Sequence, residues 1–90
     1  MGRKARLRPE RLAEKLRQVR LTLGLSQTEL LNRLEFDIHY SRISEYELGK
    51  NEPPLPILLR YAEVAGICVD VLINDKLDLP DKLPGKPKHK

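Results

Sequence analysis

The side chains that most often do covalent chemistry in proteins are dispersed in this chain. Two histidines, His39 and His89, stand far apart, and the single cysteine, Cys68, has no second cysteine near it. Zinc sites need several such ligands at close spacing, and a cysteine nucleophile needs a base beside it. The acidic residues are spread over helix surfaces, where we interpret them as solvated. We therefore predict no catalytic site, no bound metal, no cofactor and no enzymatic activity.

The other chemistry open to this chain is the recognition of anions, because its net charge is +4 at neutral pH. That excess lies at the two ends. Residues 1–8 carry four basic side chains, and residues 75–90 carry five lysines against three aspartates. Residues 9–74 hold the other 8 basic and 10 acidic side chains, so the central part is slightly acidic. Basic tails can bind nucleic acid or only improve solubility, and charge alone does not separate these roles.

Length and composition restrict the class of protein. Ninety residues permit one small domain, and an apolar content of mostly Leu, Ile, Val and Ala suits a helical bundle. A single cysteine excludes an internal disulfide and fits a reducing cytoplasm. No apolar run approaches the roughly 20 residues that span a membrane. The basic start MGRKAR is followed by no apolar segment, unlike a signal peptide. We expect a cytoplasmic all-α protein without a membrane span.

The most complete local signal in the chain is a helix start at Ser26. Gly24 can end the preceding helix in a left-handed conformation. Ser26 and Glu29 have the spacing of a capping box, in which each side chain bonds the backbone of the other residue. Leu25 and Leu30 flank that box and fit a hydrophobic staple. These signals together predict that a helix begins directly after Ser26.

Apolar spacing, prolines and glycines predict five helices, at about 9–23, 27–34, 39–48, 55–65 and 69–74. The start of the third helix stays open, because either Asp37 or His39 could cap it. Residues 1–8 show no hydrophobic periodicity, so we predict a flexible basic arm there. Residues 75–90 are rich in Pro and Lys, which indicates an extended or disordered tail. Three leucines of that tail could dock elsewhere: Leu77, Leu79 and Leu83.

One set of residues follows a family pattern from the first helix to the fifth. Its members are Gly24-Leu25-Ser26-Gln27, Leu30, Ile43-Ser44, Glu47, Gly49-Lys50, Pro53, Leu58-Leu59, Ala62, Gly66-Ile67, Asp70 and Leu72. Together they resemble the helix-turn-helix domain of phage repressors and XRE-type bacterial regulators. The resemblance covers about residues 16–73. It implies a lambda-repressor-like bundle of five helices, in which the third helix enters the DNA major groove and dimers read two half-sites.

The resemblance also implies roles for individual residues. The side chains expected to face base edges are His39, Tyr40, Ser41 and Glu45. The side chains expected to contact phosphates are Gln27, Arg42, Lys50 and Asn51. Arg20 and Glu47 match a partly buried salt bridge between the first and third helices. A basic arm can follow phosphates or lie in a minor groove, so we also expect contacts from Arg3, Lys4 and Arg6.

The chain departs from the family pattern at the turn. It holds two additional residues between Leu34 and Ile43, so the turn is longer or the third helix starts earlier. A second function also stays open, that of a protein-interaction module on the same fold, such as an antitoxin-like partner. The acidic central part and Glu45 favour that alternative, whereas the basic arm favours DNA. We favour a sequence-specific regulator that binds double-stranded DNA as a homodimer.

Overall fold

The computed structural model describes residues 9–86 and folds them into helices without a strand in that range. The helices are α1 Leu12–Thr22, α2 Gln27–Leu34, α3 Ser41–Glu47, α4 Leu55–Ala65 and α5 Val69–Ile73. The predicted all-α class and the five helices are therefore confirmed. Within the same residues, none of the helices combines the length and the apolar character needed to cross a membrane.

One shared core holds the five helices together. α1 packs on α3 and α5, α2 packs on α3 and α4, and α4 packs on α5. Each helix contributes an apolar stripe at helical spacing, and burying those stripes supplies the main stabilising free energy. The buried apolar side chains are Leu12, Leu16, Val19, Leu23, Leu25, Leu30, Leu34, Ile43, Tyr46, Ile57, Leu58, Tyr61, Ala62, Ala65 and Leu72.

The predicted capping box at the start of α2 is present. The Ser26 hydroxyl accepts the Glu29 amide at 3.0 Å, and the Glu29 carboxylate accepts the Ser26 amide at 2.8 Å. Just before it, Gly24 has a φ of 72° and lets the chain reverse after α1. The Gly24 and Leu25 amides donate to the carbonyls of Leu21 and Arg20, which makes a Schellman motif. Local backbone chemistry therefore defines the junction between α1 and α2.

α1 begins at Leu12 rather than at about residue 9 as predicted. The Glu10 and Arg11 amides donate to the two carboxylate oxygens of Asp75, at 2.9 and 3.0 Å. Those hydrogen bonds hold the two residues before the helix in a non-helical conformation. Asp75, from the far end of the chain, therefore satisfies the amides of the two residues that precede α1.

α3 begins at Ser41 rather than at about residue 39, and α5 ends at Ile73, one residue earlier than predicted. Glu35 ends α2 with a φ of 62°, in the left-handed region that residues other than glycine rarely adopt. Residues 35–40 then form a six-residue turn. The additional residues noted in the sequence therefore lengthen the turn and do not extend α3.

Residues 75–86, called here the C-terminal segment, lie against the bundle. Leu79 and Leu83 pack on the core, and the Gly85 amide donates to the Ala65 carbonyl at 2.9 Å. A side chain at Gly85 would lie 1.9 Å from the Val64 carbonyl oxygen, so only glycine fits this contact. Residues 75–86 form no helix or strand, and two of the three leucines that the sequence left free to dock, Leu79 and Leu83, lie on the core.

Lys15 holds the C-terminal segment to α1 from inside the protein. The residue is only 2% exposed, and its ammonium group donates to the carbonyls of Val71, Asn74 and Leu77 at 2.7 to 2.9 Å. Burial lowers the pKa of Lys15, and the positive charge of nearby Arg11 lowers it further. The three carbonyl oxygens compensate the lost hydration of a buried ammonium group.

Candidate nucleic-acid interface

α3 has one buried side and one side that faces solvent. Ile43 and Tyr46 are buried. Residues on the opposite side recur at three- and four-residue spacing, which keeps them on one helix face. Ser41, Ser44 and Glu45 of that face are half-buried, and Leu48 at its end is exposed. We call these four residues the outward face of α3.

Three of the predicted contact residues meet in one small network. The Glu45 carboxylate accepts a hydrogen bond from the Arg42 guanidinium at 3.3 Å, through Oε1. The same oxygen accepts a hydrogen bond from the Asn51 amide at 2.9 Å. Since the network lies at the surface, the hydrogen bonds to Glu45 contribute little free energy. A DNA phosphate or base can therefore replace them. A carboxylate positioned here can accept the amino group of cytosine, and a guanidinium can pair with a phosphate.

His39 and Tyr40, which were expected to face base edges from the third helix, lie before the first residue of α3. Their rings stack with centroids 4.4 Å apart. The His39 Nδ1 atom accepts the Ser41 amide at 3.2 Å and lies 2.9 Å from the Ser41 hydroxyl. Because Nδ1 accepts that amide, the neutral ring carries its hydrogen on Nε2. Neither of the two caps that the sequence left open is the N-cap of α3, which is Tyr40; His39 precedes it, and its Nδ1 accepts the Ser41 amide.

The bond between Arg20 and Glu47 fixes α3 on α1. The Arg20 Nε and Nη2 atoms donate to the two Glu47 oxygens at 2.7 and 3.0 Å, and Arg20 Nη1 donates to the Leu25 carbonyl at 3.0 Å. Both side chains are largely buried, with 14% and 4% of their area exposed. The hydrogen bonds to Glu47 raise the pKa of Arg20. One guanidinium thus joins α1, α3 and the start of α2.

Gln27 and Lys50 stand at the edges of the candidate surface. Gln27 is the first residue of α2 and is half-buried. The exposed Lys50 follows Gly49, whose φ of 77° ends α3. The Gly49 and Lys50 amides donate to carbonyls of α3, of Tyr46 and Glu45, in a second Schellman motif. A helix start and a mobile lysine both suit phosphate oxygens.

The predicted contacts of the arm lie outside the described residues 9–86, at Arg3, Lys4 and Arg6. Inside that range, sequence reasoning missed Arg60. Its guanidinium donates to the Arg33 and Leu34 carbonyls at 2.7 and 3.1 Å and so satisfies the end of α2. The signal for it was weak, since an arginine on an exposed helix side is usually solvated. Through these hydrogen bonds Arg60 links α4 to the end of α2, where the turn before α3 begins.

Tyr61 is a second residue whose surroundings the sequence did not indicate. Its side chain is fully buried in α4. Burial raises the pKa of the Tyr61 hydroxyl, and the negative charge of nearby Glu47 raises it further. The hydroxyl therefore stays neutral, close to the ion pair that positions α3.

The described residues offer little to a metal ion, because no group of three or more His, Cys, Asp and Glu side chains lies together among them. A sequence model of the family described as helix-turn-helix matches residues 16–71. The match runs from α1 to α5 and includes the turn before α3. A comparison with curated proteins gives no match.

Proposed function

Since this chain belongs to the XRE-type helix-turn-helix family of DNA-binding regulators, we propose that it binds double-stranded DNA at specific sequences. In this proposal α3 enters the major groove and Ser41 and Glu45 contact base edges. The observation that carries the proposal is the outward face of α3, which is accessible on a helix that the buried Arg20–Glu47 pair holds in place.

Phosphate contacts position the protein in this proposal without selecting a sequence. We assign them to Gln27 at the start of α2, to Arg42 and Asn51 beside Glu45, to Lys50, and to the basic arm. Arg42 and Asn51 share one oxygen of Glu45 in the free protein. If Arg42 and Asn51 bound phosphates instead, that carboxylate oxygen would be free to accept a hydrogen bond from a cytosine amino group. Phosphate binding by Arg42 and Asn51 would then be coupled to base recognition by Glu45.

The turn before α3 changes which residues we propose as base readers. His39 and Tyr40 precede the helix and stack on each other, so we assign them to the groove edge. Ser41 and Glu45 remain the central readers. A single domain of this size makes few base contacts, and we therefore propose a two-fold dimer on half-sites about one helical turn apart.

The experiment that tests this function is a selection of random duplex DNA on the full chain, followed by binding measurements on the enriched sequences. We expect a two-fold related motif that is bound at least 10³-fold more tightly than unrelated duplex of equal length. Binding should weaken steeply with salt, since each phosphate contact releases counterions.

A matched control for that selection is Leu77→Ala. This substitution changes an exposed side chain of the C-terminal segment, away from α3. It should enrich the same motif as the wild type. If the wild type enriches no motif, and captures a protein partner through α3 instead, the interaction module is the correct function.

A further inference from the structure

Leu48 is a large apolar side chain at the end of an otherwise polar surface. It is 66% exposed, more than most other large apolar side chains of residues 9–86. The other members of the outward face, Ser41, Ser44 and Glu45, are polar. Exposing a leucine at this place gains no folding free energy from burial. A binding partner with an apolar group of its own would account for it.

The backbone fixes the direction of the Leu48 side chain. Its φ of −90° and ψ of −4° are helical, and its amide donates to the Ser44 carbonyl at 2.9 Å. Gly49 and Lys50 then close the Schellman motif directly behind it. Leu48 therefore follows Ser41 at i+7 and Ser44 at i+4, on the same face, although it is the C-cap residue directly after α3.

Because α3 is short, Leu48 can lie close to the base edges. A helix of seven residues is about 10 Å long at ~1.5 Å per residue. The major groove of DNA is about 12 Å wide. Such a short helix fits inside the groove. On its outward face Leu48 lies one turn beyond Glu45, the proposed base reader, at i+3.

We propose that Leu48 is a specificity-determining residue that packs against the C5-methyl group of a thymine, an inference that rests on the proposed function. In the major groove the base edges present hydrogen-bond donors and acceptors, and the thymine methyl is their apolar group. Leu48 cannot form a hydrogen bond with a base edge. It therefore selects a T·A pair within the half-site that α3 contacts.

The test replaces single thymines by deoxyuridine, which removes only the methyl group. The probes are the duplexes enriched on the wild-type chain, with each thymine of one half-site replaced in turn. We expect one such position to weaken wild-type binding by about three- to fivefold, the value for one buried methyl group. Leu48→Ala should bind the original and the substituted duplex equally.

Two further variants complete the design. Leu48→Gln keeps the length of the side chain without its apolar end and should also lose the response to deoxyuridine. Leu77→Ala, at a leucine that is 39% exposed on the C-terminal segment, should keep the wild-type response. Equal melting temperatures of all four proteins would show that the variants are folded.

The outcomes separate this inference from the proposed function. If no duplex is enriched, the proposed function itself has failed. If duplexes are enriched but no deoxyuridine substitution affects the wild type, Leu48 does not read a thymine methyl. The same holds if wild type and Leu48→Ala respond equally, or if Leu48→Ala changes only the oligomeric state of the protein in sedimentation.

Discussion

Arg20 and Glu47 bind each other through two parallel hydrogen bonds, across the contact between α1 and α3. The pair lies at the last turn of α1 and at the last residue of α3. Because a guanidinium and a carboxylate match in a planar, two-bonded geometry, the pair fixes both the distance and the rotation of α3 relative to α1. The direction in which the outward face of α3 points therefore depends on this contact.

Replacing Glu47 by glutamine should destabilise the protein strongly. The substitution keeps the shape of the side chain but leaves the largely buried Arg20 charge without its counter-charge. Losing one partner of a buried pair costs about 3 kcal/mol or more of unfolding free energy. For a domain of this size that corresponds to a melting temperature lower by on the order of 10 °C, measurable by circular dichroism.

Glu63→Gln is the control for that experiment. Glu63 pairs with Arg60 on the surface of α4, three residues apart on one helix. Such exposed pairs contribute roughly 0.3–0.5 kcal/mol, so this variant should melt close to the wild type. Equal melting temperatures for Glu47→Gln and Glu63→Gln would contradict the structural role of the Arg20–Glu47 pair.

The contact of Asp75 with α1 should make stability depend on pH. Hydrogen bonds from the Glu10 and Arg11 amides lower the pKa of Asp75 below its usual value of 3.8. A carboxylate with a lowered folded-state pKa stabilises the protein above its unfolded pKa, and that contribution is lost as the pH falls through the folded-state pKa. Asp75→Asn should therefore be less stable than the wild type at about pH 6, and the difference should shrink towards about pH 2. Denaturant unfolding at a series of pH values measures this difference, and a constant gap would exclude the carboxylate charge as its cause.

Changing Ser41 and Glu45 together to alanine should change which DNA sequences are bound. About 1–3 kcal/mol of discrimination should be lost for each good base contact. Gln27→Ala should instead weaken binding to all sequences to a similar degree, because a phosphate contact carries no sequence information. Selection of random duplex DNA on both variants distinguishes these effects. If the double variant enriches the same DNA motif as the wild type, Ser41 and Glu45 of α3 do not contact bases specifically.

Deleting residues 3–8 should reduce affinity for every duplex alike. The deletion removes four positive charges, those of Arg3, Lys4, Arg6 and Arg8. If the arm binds phosphates, the slope of log affinity against log salt should become shallower by roughly 0.9 for each phosphate that the protein no longer neutralises. Mobility shifts at several salt concentrations measure that slope. An unchanged slope and affinity would leave the arm without a role in binding.

The parts of the fold that the sequence predicts well are those encoded by neighbouring residues. The bounds predicted for α2 and α4 are confirmed, because a capping box and a glycine mark them locally. The start of α3 was harder, since its N-cap is Tyr40, without a capping side chain, and neither Asp37 nor His39. His39 and Tyr40 were expected to face base edges from the third helix and precede α3 instead.

Contacts between distant residues account for most of what the sequence did not reveal. Lys15 reads as an exposed helix residue, yet it is buried by carbonyls of α5 and the C-terminal segment. Asp75 reads as part of a solvated tail, although it accepts the Glu10 amide, just before α1, from 65 residues away. In both cases the partner is a backbone group, and its position is set by the tertiary fold and not by the type of any residue.

The bond between Asp75 and the start of α1 has a consequence for local motion. The C-terminal segment is attached directly before α1, at the two residues that follow Pro9. A fluctuation that detaches the segment also frees the Glu10 and Arg11 amides from their carboxylate acceptor. We expect the amide hydrogens of Glu10 and Arg11 to exchange with solvent faster when residues 75–90 are removed, as hydrogen exchange would measure. The stability of the C-terminal segment and that of the start of α1 are therefore coupled through one carboxylate.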